Sequence, residues 1–152
     1  MKKLSLLFIL PLINLYATSY NLQTLMECKK GNASACNGLG ALYTFGYSVK
    51  QNSTKAHKFY KKACELKSGD GCYNAAESFI EEKKYQEAIP YFIQGCDLNH
   101  TQSCSSIAKL FEYGKGIKLD YKEAKKYHKK ACELQEKESC KTYLYLDKNG
   151  IS

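Results

Sequence analysis

Arginine is absent: all 23 basic residues of this 152-residue chain are lysine. The planar arginine fork usually grips phosphate bidentately or reads guanine edges, whereas a lysine ammonium is a hydrated point charge. The lysines are also dispersed through helical segments, as at Lys61-Lys62, Lys125-Lys126 and Lys129-Lys130. Despite a formal net charge of +8, this composition reads as solvated helix faces, and no nucleic-acid partner is expected. A C-x-x-C pair, which a thiol-disulfide enzyme would carry, is missing. Histidine is limited to His57, His100 and His128. Three scattered imidazoles, with no cysteines two to four residues apart, supply no zinc site. No metal and no cofactor are expected. Long apolar runs are also lacking, except at the start of the chain.

There, Met1, Lys2 and Lys3 precede an apolar stretch from Leu4 to Leu15, the layout of a secretory signal. The stretch is well short of the roughly 20 residues that a spanning helix needs. Ala17 offers a small residue for cleavage, so residues 1–17 are expected to form a signal peptide and residues 18–152 a single mature domain. The first cysteine, Cys28, lies too far on for a lipoprotein anchor. A secreted or periplasmic protein follows, monomeric and without stable membrane insertion.

What is abundant is cysteine. Cys28 and Cys36, Cys64 and Cys72, Cys96 and Cys104, and Cys132 and Cys140 form four pairs, each with seven intervening residues. Eight cysteines allow 105 connectivities, but four equal local spacings in an oxidising compartment favour disulfides within each C-x7-C unit. The first cysteines of successive pairs are 36, 32 and 36 residues apart, a period that signals a solenoid.

The similarity extends beyond the cysteines. Ahead of each first cysteine, Ala56, Ala88 and Ala124 stand eight residues back and Phe59, Tyr91 and Tyr127 five back, marking one apolar face of a helix, the B helix. After each second cysteine, Leu39, Gly40 and Tyr43, then Ala75, Ala76 and Phe79, then Ile107, Ala108 and Phe111 form the stripe of a second helix, the A helix. A partial A helix follows Cys140, with Tyr143, Leu144 and Leu146 expected to face inward. Gly40, Ala76 and Ala108 share one position where small size admits a neighbouring helix. Gly46 and Gly114 are expected to end A helices, and Asn52 or Ser53 and Asp120 to cap B helices. Pro90 falls inside the second B helix and predicts a late start or a kink there. That unit also lacks four residues between its helices, with Lys83-Lys84 where the others carry Gly46-Tyr47-Ser48-Val49 or Gly114-Lys115-Gly116-Ile117. Each C-x7-C crosses a short polar loop, such as Leu66-Lys67-Ser68-Gly69-Asp70-Gly71. The fold expected is an all-α solenoid of helix-turn-helix repeats stapled by four disulfides. Its units are 34–66, 70–98 and 102–134, with partial units 20–30 and 138–147.

Leu39-Gly40 with Tyr43, the Gly114-Lys115-Gly116-Ile117 turn, Asp120 with Ala124, and the Lys130-Ala131-Cys132 ending resemble the Sel-one-like repeat, a relative of the tetratricopeptide repeat. The C-x7-C variant is similar to the Helicobacter cysteine-rich protein family, over nearly the whole of residues 21–147. That resemblance implies penicillin binding or weak β-lactamase activity, or a secreted factor recognised by a host.

The residues themselves give hydrolysis little support. Of the serine β-lactamase motifs S-x-x-K, S-D-N and K-T-G, only the first is matched, by Ser106-Ile107-Ala108-Lys109. In a chain with 23 lysines, one such match is expected by chance. Ser106 and Lys109 are therefore weak catalytic candidates. A binding scaffold is the preferred reading, because stacked helix pairs create an extended concave surface. By analogy with tetratricopeptide repeats, its groove is expected at A-helix positions one, five and eight: Asn37, Ala41, Thr44, Tyr73, Glu77, Ile80, Ser105, Lys109 and Glu112. The partner expected is a protein or peptide, with a peptidoglycan fragment or a β-lactam as alternatives.

Overall fold

The computed structural model describes residues 21–150; the expected signal peptide lies outside the described residues. Helix α1 covers residues 21–29. It is followed by α2 (Ala33–Phe45), α3 (Ser53–Glu65), α4 (Gly69–Glu81), α5 (Tyr85–Asp97), α6 (Thr101–Tyr113), α7 (Tyr121–Glu133) and α8 (Lys137–Lys148). Odd-numbered helices are of the B type and even-numbered ones of the A type. Each packs chiefly on its neighbours in sequence, so the chain is an all-helical solenoid. No helix among the described residues is long and apolar enough to cross a membrane.

All eight cysteines pair locally: Cys28–Cys36, Cys64–Cys72, Cys96–Cys104 and Cys132–Cys140, each joining the end of a B helix to the next A helix. The geometry between the helices explains the constant spacing. In each B-to-A turn the residue three after the first cysteine is left-handed: Gly31, Lys67, Asn99 and Gln135. Its amide and the next one close the turn on B-helix carbonyls, as Lys67 does on Cys64 and Ser68 on Ala63. Asn32, Ser68, His100 and Glu136 then cap the A helices through their side chains. The linker is thus three residues long, and Gly69, Asp70 and Gly71, expected in a loop, form the first turn of α4. Helices pass so closely beside the staples that a Cβ on Gly71 would lie 2.5 Å from that of Ala63, and one on Gly95 2.3 Å from Ser103 Oγ.

The A-to-B turns come in two lengths. Gly46 and Gly114 are left-handed caps that end α2 and α6. The seven-residue linkers that these glycines open end on Asn52 and Asp120, whose side chains cap α3 and α7. Between α4 and α5 only residues 82–84 intervene; Lys83 is left-handed, with its amide on Ile80 and that of Lys84 on Phe79. This repeats the hydrogen-bonding pattern of the B-to-A turns. Pro90 does not delay α5, which starts as far before its cysteine as α3 and α7 do. Pro90 and Gln86 are both exposed, so water can reach the Gln86 carbonyl that loses its helical amide.

The central core joins the second and third repeats: Ala76, Ala88 and Phe92 with Ile107, Ala108 and Tyr127. Gly40, Ala76 and Ala108 are buried as expected, and a Cβ on Gly40 would meet the Tyr60 ring at 2.4 Å. Leu146 is buried in α8, but Leu144 is 62% exposed, contrary to the inward position expected. It occupies the site of Gly40, Ala76 and Ala108, which in those repeats is covered by the B helix of the same hairpin; no such helix follows α8 among the described residues.

Candidate binding cleft

The nine groove positions, all on the A helices α2, α4 and α6, fall into two groups. Asn37 accepts from the Asn74 side chain at 2.9 Å, linking α2 to α4. Thr44 bonds the Gly40 carbonyl at 3.0 Å and the Tyr60 hydroxyl at 3.1 Å. Ser105 is nearly buried and donates to the Gln102 carbonyl. Tyr73 packs, with its ring tilted, against Phe92 and His100, at 6.0 and 5.1 Å between ring centroids, and Ala41 is half-buried. Glu112 faces the His128 imidazole, its carboxylate 3.3 Å from Nε2. These residues are mostly engaged within the solenoid.

Glu77, Ile80 and Lys109 are different: the structure brings them together at one cleft of about 260 Å³ between α4, α5 and α6. Ser106 lines the same cleft, joined by Tyr85, Phe92, Leu110, Tyr113 and Lys115. The sequence reading missed these five. Their signal was the shortened second unit. A three-residue turn leaves the α4–α5 end low, and the longer turn after α6 reaches over it, with Gly116 so close to Tyr85 that a Cβ would meet that of Tyr85 at 2.3 Å. The result is an apolar floor with one carboxylate and two ammonium groups around it. Burial is the main influence on Glu77 and raises its pKa; the Tyr73 hydroxyl pulls it back down and Glu81 raises it further. With Glu77 the one acid beside Lys109 and Lys115, the rim is cationic on balance, suited to an acidic group attached to an apolar one.

The matched S-x-x-K pair therefore lies on a cleft wall, though among the described residues no hydrogen bond joins Ser106 to Lys109. A second constellation has the form of a hydroxyl–imidazole–carboxylate chain: Ser139 Oγ lies 3.0 Å from His128 Nδ1, and Glu112 Oε2 3.3 Å from His128 Nε2. Ser139 is 1% exposed and His128 2%, so no substrate reaches the hydroxyl; the chain ties α6, α7 and α8 together. Among the described residues no group of histidine, cysteine and acidic side chains could hold a metal ion.

The Sel1 repeat model matches residues 33–68 and 101–136, which are the helix pairs α2–α3 and α6–α7. Cytochrome c oxidase assembly factor 7A of Xenopus laevis is 23% identical over 103 residues, covering 61% of this chain and 45% of the relative. The chain spans less than half the length of such curated relatives. A Sel1 repeat protein from Oxalobacter formigenes superposes with a TM-score of 0.75 at 23% identity, over 93% of this chain and 63% of the other. A protective antigen of uropathogenic Escherichia coli displaying an SLR fold gives 0.73 at 23% identity, over 84% of this chain and 28% of its own. Helicobacter pylori cysteine rich protein B gives 0.61 at 26% identity, over 84% of this chain and 95% of its own. The chain thus carries Sel1 repeats in α2–α3 and α6–α7, within a stapled solenoid of the fold that solved Sel1 repeat proteins share.

Proposed function

We propose that the protein is an extracytoplasmic binding scaffold whose α4–α5–α6 cleft takes a peptide segment, by itself or as part of a cell-wall fragment. Four disulfides, three of them buried, suit an oxidising compartment, secreted or periplasmic. The observation that carries the reading is the cleft itself: Ile80, Phe92 and Leu110 offer an apolar seat, and Lys109 and Lys115 face it with ammonium groups. An aromatic or aliphatic side chain next to a carboxylate has the matching chemistry. Similarity to a protein called an assembly factor supports partner binding over catalysis.

Anisotropy titration of the oxidised protein tests this, using fluorescein-labelled Gly-Phe-Asp-Gly and Gly-Gly-Lys-Gly peptides and a peptidoglycan disaccharide-tetrapeptide. The acidic aromatic peptide or the muropeptide should bind saturably, and Ile80→Lys should abolish binding. Unchanged binding in Ile80→Lys would remove the cleft from consideration. A second reading, β-lactam binding or slow hydrolysis, draws on Ser106 and Lys109 lining one cleft. Nitrocefin turnover that copurifies with the protein and disappears in Ser106→Ala would favour it. Turnover indifferent to both Ser106→Ala and Lys109→Ala would reject that pair.

A further inference from the structure

A second cleft, of about 420 Å³, lies on the B-helix side between α1 and α3, far from the α4–α6 hollow. Leu25, Phe59 and Cys28 supply its apolar surface, and Lys29, Lys58, Lys61 and Lys62 surround it, with Glu65 the one acidic side chain in its lining. Among the described residues none of these four lysines makes an ion pair. Lys58 stands three residues from Lys61 and four from Lys62 on one helix, a spacing at which like charges repel.

The same positions elsewhere in the solenoid show that this charge is not a by-product of the repeat. Lys130, two residues before Cys132, pairs with Asp97, one residue after Cys96, at 3.5 Å. The corresponding residues here are Lys62 and Lys29, so the acid has become a base. Lys126, six before Cys132, pairs with Glu123 at 2.9 Å. Its counterpart Lys58 would look to Lys55, which instead lies over the Tyr43 ring. Two acidic positions are therefore replaced by lysine on α1 and α3, the helices that form this cleft, and one of them, Lys29, is in its lining. The lysine-rich cleft beside α7 is partly neutralised from within, since Lys125 pairs with Asp147 at 2.8 Å.

We infer that the α1–α3 cleft is a binding site for an amphiphilic anion, a phosphate or carboxylate head group carried on an apolar chain. The head group relieves the repulsion among Lys29, Lys58, Lys61 and Lys62, and the first part of the chain covers Leu25 and Phe59. Lysine rather than arginine suits a head group held by charge instead of by a fixed fork.

Isothermal titration of the oxidised protein tests this, with dodecyl phosphate and laurate below their micelle concentrations, inorganic phosphate and dodecyl maltoside. At least one of the two amphiphilic anions should bind one to one, about tenfold or more tighter than inorganic phosphate, and weaken with added salt; which of the two binds identifies the head group. Installing the acids that Asp97 and Glu123 provide beside α7, with Lys29→Asp and Lys55→Glu, should lower the affinity about tenfold while the melting temperature is held or raised. Lys122→Asp with Lys129→Asp on α7 should leave it unchanged. Equal binding of dodecyl maltoside or of inorganic phosphate overturns the inference, as does an affinity that follows the α7 lysines instead.

Discussion

The second and third repeats share their staples, helix lengths and central core, yet they differ in how the two helices of each hairpin meet. In the third, His128 of α7 meets Glu112 of α6. In the second, the same two positions are Phe92 and Ile80, both in the apolar cluster. In the first, they are Tyr60 and Thr44, joined through their hydroxyls. Position eight of each A helix thus faces its own B helix in three chemistries, one per repeat. In the second repeat, where the turn is also four residues shorter, that position lines the apolar α4–α5–α6 cleft, whereas Thr44 of the first lines a hollow shared with Gln51, Ser53, Ser78, Glu81 and Glu82. The repeat supplies the frame, and the cleft we propose for a peptide forms where the repeat is broken.

The largest expected effect comes from cutting the staple between these two repeats. Replacing Cys96 and Cys104 together by alanine opens a nine-residue ring, worth about 2.5 kcal/mol in the chain-entropy model. Urea denaturation should show that loss. Because Phe92 and Ile107 still pack across the junction, the transition should remain single. A split into two transitions would mean that the staple, and not the shared core, couples the second repeat to the third.

An intermediate effect separates the two hairpin chemistries. Burial is the largest influence on His128 and holds its pKa below the ordinary value, while Glu112 pulls it up and Lys109 pushes it down. A depressed folded pKa means that the neutral imidazole belongs to the native state. Its stabilisation is complete above the unfolded value and is lost as pH falls through the lower folded one. Thermal melts should therefore weaken from pH 7 to pH 5 more in the parent than in His128→Phe with Glu112→Ile, which installs the pair of the second repeat. His128→Phe alone strands the Glu112 carboxylate and the Ser139 hydroxyl and should cost about 1–3 kcal/mol. An unchanged pH dependence in the double variant would place the acid sensitivity elsewhere.

Much of this architecture could be read from eight cysteines and a period, because a disulfide and a helical stripe are both local in sequence. The staples, the Asn52 and Asp120 caps and the small residues at Gly40, Ala76 and Ala108 are of that kind. The cleft was legible only in part. Glu77, Ile80 and Lys109 followed from position within an A helix, whereas Tyr85 and Phe92 come from α5 and Tyr113 and Lys115 from the end of α6 and its turn, so their meeting depends on tertiary packing around the short turn. Thr44 and Glu112 were expected in the groove but engage their own B helices, since a polar side chain at position eight finds a polar partner across the hairpin. Leu144 fits the helical stripe yet is exposed, because a stripe records which face could be covered, not whether a neighbour covers it.

The smallest effect compares four turns that are nearly superposable in hydrogen bonding but not in residue type. Gly31, Lys67, Asn99 and Gln135 all occupy the left-handed region, with φ of 94°, 65°, 60° and 69°. A side chain there crowds its own backbone, which glycine avoids and asparagine tolerates better than most. Lys67→Gly and Gln135→Gly should each stabilise the protein by about 0.5–1 kcal/mol, net of the extra freedom glycine gives the unfolded chain. Asn99→Gly should gain less, and Gly31→Ala should lose stability. Four melting curves under one buffer give the ranking. If Lys67→Gly and Gln135→Gly are neutral while Gly31→Ala is costly, the first turn alone is strained, and the four linkers are equivalent in hydrogen bonding but not in energy.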